Sequence, residues 1–192
     1  MHIHGICGII AGALSLFGYG LYVIAILKGN TKPSKTTWWI WIPLAITLLF
    51  SAEASGAKAT MWVAKSEVIG IIAIALLSLK FGKKEKEKGE WVCISGSAVS
   101  LLILWIFKAP SIALFAALTT DSLALWPTIQ KTINNPEEED CLAWLFTQTA
   151  NLFNLFAIST MAFGDIVYPV WLFVLDGTVL SLLFFPKIKK GV

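Results

Sequence analysis

The chain is a series of apolar runs, most long enough to cross a lipid bilayer, with little polar sequence between them. The runs fall at about 5–27, 37–56, 61–80, 91–107, 110–130, 141–161 and 167–186. A span needs roughly 20 apolar residues. In hydrocarbon the backbone must satisfy its own hydrogen bonds, so each run is expected to be a helix. Composition agrees, with 57% hydrophobic and only 14% charged residues, far from the balance of a soluble domain of this length. The first run starts close to Met1 without a basic leader and continues into a full span, which reads as a retained helix rather than a cleaved signal. The expected fold is an all-α membrane protein of seven transmembrane helices.

The loops carry an internal echo. Lys28-Gly-Asn-Thr-Lys-Pro33 leads to Trp41, and 103 positions later Lys131-Thr-Ile-Asn-Asn-Pro136 leads to Trp144. Both read Lys-x4-Pro-x7-Trp, and both join one apolar run to the next. The same offset matches Ala13 with Ala116, Ile26 with Ile129, and Leu49-Phe50 with Leu152-Phe153. Two three-helix units are expected, 1–82 and 110–192, joined by a segment 83–109 that holds a loop and a linker helix (3+1+3). An odd linker returns the second unit to the bilayer in the orientation of the first, making the repeats parallel. Such symmetry is a signature of carriers that hold substrate between their halves.

Lysine placement orients the chain. All fifteen basic residues are lysine; twelve fall in loops on one side, and Lys58, Lys65 and Lys108 on the other. The positive-inside rule puts the N-terminus outside and the C-terminus in the cytoplasm of a plasma (inner) membrane. The net charge of +3 then reflects topology and contact with anionic lipid, not a nucleic-acid surface. Lys83-Lys-Glu-Lys-Glu-Lys88 reads as a solvated connector. Glu137-Glu-Glu-Asp140 reads as the capping start of the sixth span. Cys7, Cys93 and Cys141 are scattered and, with His2 and His4, make no metal set. No cofactor is expected.

Polar residues inside spans carry the functional signal, because ionisable groups in a bilayer are costly. Asp121 lies midway along the fifth span and Asp176 midway along the seventh. Gln148, Asn151 and Asn154 recur at three-residue steps on the sixth, hence on one helical face. Tyr19 joins Ser15 and Tyr22 in a hydroxyl-bearing face of the first span. These residues are expected to bind substrate, although polar glue between helices would leave the same pattern. Glu53 and Glu67 are read as nearer the outer surface. Pro43 and Pro127 interrupt the second and fifth spans as candidate hinges. Trp41 and Trp144, equivalent under the 103-residue offset, are candidate gates. The other tryptophans read as an interfacial belt.

The 3+1+3 layout, the outer N-terminus, Pro43, and Trp126-Pro-Thr-Ile-Gln-Lys131 at the cytoplasmic end of the fifth span together resemble the SWEET and PQ-loop transporter superfamily. The resemblance implies alternating access between two three-helix bundles, with prolines as hinges. The sugar-carrying branch also holds prolines where Ile24 and Phe146 stand here, and places its substrate asparagines on helices three and seven. The two aspartates are more similar to the proton-coupled branches. The expected partners are a small polar solute, a proton and the lipid bilayer; an assembly of several copies is compatible. A seven-helix sensor or assembly factor is the alternative. An intramembrane enzyme is a weaker one, since both histidines are terminal and no catalytic motif flanks Asp121 or Asp176.

Overall fold

The computed structural model describes residues 3–82 and 109–184, with Ser95, Ala98, Val99, Leu102, Ile103 and Ile106 as isolated helical positions between them. The rest of the linker helix, the Lys83–Lys88 run, His2, Cys93 and the C-terminal lysines lie outside the described residues. The described residues form α1 (Ile3–Leu27), α2 (Lys35–Ala54), α3 (Met61–Phe81), α4 (Pro110–Asn134), a 3-10 turn (Pro136–Glu138), α5 (Cys141–Phe156) and α6 (Phe163–Phe184), with no β-strand among them. Five of these helices, all but α5, are long and apolar enough to cross a membrane.

The exception corrects the sequence reading. A sixth span was expected to reach residue 161, but α5 has 16 residues, about 24 Å at 1.5 Å per residue. The chain leaves the helix because residues 158–160 wrap a carboxylate. Asp165 Oδ2 accepts from the backbone N–H of Ser159 at 2.9 Å and of Thr160 at 2.8 Å, and from both hydroxyls. Those donors are committed to the loop and cannot extend the helix.

Caps set the other ends. Ser34 Oγ accepts from Thr37 N at 3.4 Å to open α2, and Asp140 Oδ1 accepts from Ala143 N at 2.7 Å to open α5. Each satisfies a free donor of the first turn. Gly29, at φ 77°, ends α1, and Asn30 N donates back to Ala25 O at 3.0 Å, a closure that needs a left-handed residue.

Two tryptophans stand at the same distance from their caps. Trp38 N donates to Ser34 O at 3.3 Å and Trp144 N to Asp140 O at 3.2 Å. Each is the fourth residue past its cap, whereas Trp41 is the seventh.

Every described helix packs on at least two others. α3 packs on α1 and α2, and α6 packs on α4 and α5. The most extensive contact is α1 on α5, and α2 packs on α4 about as closely as on α3, with α6 also touching α2. Gly18 lets α1 approach α5 closely, since a Cβ there would press on Thr147 and the Ala143 carbonyl. Large apolar side chains such as Phe17, Phe50, Ile69, Phe115 and Phe156 face outward, each more than half exposed. An exterior this apolar suits lipid as its solvent.

Candidate functional site

The helices converge on two unlike ends. One carries Lys28, Lys32, Lys35, Lys80 and Lys131. There the Lys35 ammonium donates to Leu79 O at 3.0 Å, joining the start of α2 to the end of α3. The other is organised by Asp165, which is fully buried. Besides Ser159 and Thr160, it accepts from Thr60 Oγ1 at 2.8 Å and Lys58 N at 3.3 Å. One carboxylate thus ties the α2–α3 loop to the α5–α6 loop.

Between the ends lies a cavity. The space open to the centre of a water molecule is about 50 Å³, room for a few waters or part of a small solute. Its polar lining comes from five helices: Tyr19 and Tyr22 on α1, Glu67 on α3, Asp121 on α4, Thr147 on α5 and Asp176 on α6. All three carboxyl-bearing residues line the same space. Leu44, Ala45, Leu48 and Ile71 supply apolar wall. Gly70 makes room for Tyr19, because a Cβ there would overlap the tyrosine ring.

Rings stand between the cavity and the lysine end. Trp38 and Trp41 are edge-to-face with centroids 4.9 Å apart, and Tyr22 lies 5.3 Å from Trp38. Trp144 completes the layer from α5. Beneath the rings, Glu139 Oε2 accepts from the Tyr22 hydroxyl and from Trp144 Nε1, both at 2.9 Å. Lys131 forms a buried ion pair with Glu139 and donates to Lys32 O at 2.7 Å. This network joins the α1–α2 loop to the α4–α5 loop.

The structure brings Tyr19, Trp41, Asp121, Trp144 and Asp176 together around one cavity. Gln148, Asn151 and Asn154 are not in its lining. Their shared face is real, but helix rotation turns it toward α6: Gln148 Nε2 donates to Phe173 O at 3.1 Å and Asn151 Nδ2 to Asp176 Oδ2 at 2.7 Å. Asn154 is fully buried and its amide has no hydrogen-bond partner. Asn151 therefore positions a lining carboxylate rather than facing the cavity itself. Pro43 sits inside α2, where its carbonyl accepts from Thr47 Oγ1 at 2.8 Å, and Pro127 lies within α4.

Glu67 corrects the reading that put it near a surface. It is buried, lines the cavity, and accepts from the fully buried Tyr168 hydroxyl at 2.6 Å. A carboxylate inside an apolar run was the signal for it, the same signal that flagged Asp121 and Asp176. Glu139 was hidden by its acidic neighbours. Pro169, inside α6, is a further helix-interior proline that the hinge reading passed over.

Fold and site together define an all-helical protein with five helices able to cross a membrane and a carboxyl-bearing cavity between them. No protein-family model, curated protein or solved structure matches the chain.

Proposed function

We propose that the protein is a SWEET-like carrier of a small polar solute, working by alternating access between two parallel three-helix bundles and coupled to a proton. The bundles are α1–α3 and α4–α6, joined by the linker helix, with the lysine end in the cytoplasm of a plasma membrane. The observation that carries the reading is the cavity itself: Asp121 and Asp176, on two different helices, share it with Glu67 and Tyr19. Carboxyl groups held away from bulk water can exchange protons when one face opens. The packing supports it too, since α3 bridges α1 and α2 as α6 bridges α4 and α5. Each unit then moves as a body, with Pro43 and Pro127 absorbing the bend. The tie through Glu139 and the tie through Asp165 sit at opposite ends, where alternate opening would release one and keep the other.

The test is solute flux in proteoliposomes under an imposed pH gradient. Flux should follow the gradient in the parent protein. Asp121→Asn and Asp176→Asn keep shape and remove charge, so each should abolish the pH response while the protein stays folded. Equal flux of parent and both variants at all pH values would make the carboxylates structural. No flux of any solute by a folded protein would favour the sensor or scaffold reading.

A further inference from the structure

Resting on the transport reading, we propose that the solute is a small organic cation, an ammonium that also carries a hydrogen-bond acceptor, and that it exchanges for a proton on the lining carboxyl groups. Each singly charged cation that enters displaces one proton to water, so the charge of the cavity is unchanged.

The lining argues for positive charge. Its acidic groups are Glu67, Asp121 and Asp176, and among the described residues no lysine or histidine lines it. From the helices packed around it, α1 contributes only tyrosines, α2 only Trp38, Trp41 and aliphatic side chains, and α5 Ala143, Trp144 and Thr147. Tyr168 on α6 stands behind Glu67. Among the described residues the one buried lysine, Lys131, is already paired with Glu139 at the lysine end. Carboxylates out of contact with bulk water need a counter-charge. An anionic solute would add negative charge to the site, and a neutral one could not take the place of a departing proton.

The size of the cation follows from spacing and walls. Among the described residues no three acidic or metal-ligating side chains come close enough to hold one metal ion. A bare divalent ion needs its oxygen ligands within about 2.0–2.6 Å, whereas an organic cation can reach carboxylates spread over several helices. The mutually perpendicular Trp38 and Trp41, with Tyr19 6.3 Å from Trp38, make a box of ring faces and edges. Aromatic boxes of this sort suit ammonium groups. The acceptor is called for by Trp41, which is about nine-tenths buried and lines the cavity; its indole N–H stands beside the Asp121 carboxyl group but outside hydrogen-bond geometry. A hydroxyl on the solute would complete it.

The test has two arms on the full-length protein. In the first, binding of methylammonium, ethanolamine, choline and putrescine is measured by tryptophan fluorescence, beside 3,3-dimethylbutan-1-ol, the neutral isostere of choline. At least one cation should bind, choline should outbind its isostere by ~tenfold or more, and Asp176→Asn should weaken cation binding by a similar factor while Asp165 and Glu139, left intact, keep the fold. Equal binding of choline and isostere, or no binding by any of the four cations, overturns the proposal. In the second arm, proteoliposomes loaded with these cations, glucose and glycine are followed by mass spectrometry of the efflux. Selective loss of a cation, with proton uptake in return, supports the exchange. Loss of glucose or glycine with cations retained overturns the cation proposal and leaves the carrier reading standing. Cation binding without any efflux overturns the exchange and the carrier reading, and keeps the site as a cation receptor.

Discussion

The Tyr22 hydroxyl on α1 donates to Glu139 Oε2 at 2.9 Å, across 117 residues of sequence. Glu139 precedes α5, so this bond ties α1 to the start of α5 at the lysine end. The same carboxylate receives Trp144 and the Lys131 ammonium, and the Lys131 and Glu139 side chains are each 1% exposed. Four elements are thereby held around one buried charge pair, directly below the ring layer that floors the cavity.

Removing one partner of that pair should be worse than removing both. Glu139→Gln leaves Lys131 buried without a counter-charge and should cost about 3–5 kcal/mol. Tyr22→Phe loses one hydrogen bond to a charged acceptor, about 1.5 kcal/mol. The double variant Lys131→Met with Glu139→Leu should be milder than Glu139→Gln alone. Chemical unfolding in detergent measures all three; a double variant as costly as Glu139→Gln or worse would overturn the burial argument.

Gly70 should control the cavity through Tyr19. Gly70→Ala places a methyl group where the Tyr19 ring lies, so the ring must shift. The expected cost is about 1–3 kcal/mol of overpacking, together with a several-fold loss of solute binding. Binding equal to the parent, at unchanged melting temperature, would show that Tyr19 relaxes away from the cavity.

Pro43 and Pro127 should matter for exchange rather than for folding. Replacing both with alanine restores two backbone donors in helix interiors. The double variant should fold as well as the parent and move solute several-fold more slowly, read as flux at matched protein content. Unchanged flux would leave both as tolerated kinks and direct attention to Pro169 in α6.

Orientation is testable with single cysteines in a variant lacking Cys7, Cys93 and Cys141. Met161, 93% exposed at the Asp165 end, should react as Met161→Cys with an impermeant maleimide added to intact cells. Lys32→Cys and Glu137→Cys, at the lysine end, should react only after permeabilisation. The reverse pattern would overturn the positive-inside assignment.

The sequence by itself determined that these segments are helices and about where each begins. Run length is sufficient, because a backbone in hydrocarbon has no other way to pair its polar groups. Asp140 was legible as a start, since a short side-chain acceptor ahead of an apolar run is a local feature; Ser34, the cap of α2, was not singled out. Asp121 and Asp176 were legible because charge at that depth stands out against its neighbours. What the tertiary structure decided was rotation and register. A helix that is apolar nearly all round has no strong preferred face, so hydropathy reports depth along the axis and says little of which way a side chain points. That is why Gln148 and Asn151 turned out to face α6 and Glu67 the cavity. It is also why Glu139 left its acidic neighbours to pair with Lys131. Those outcomes depend on contacts between segments a hundred residues apart, which no local pattern encodes.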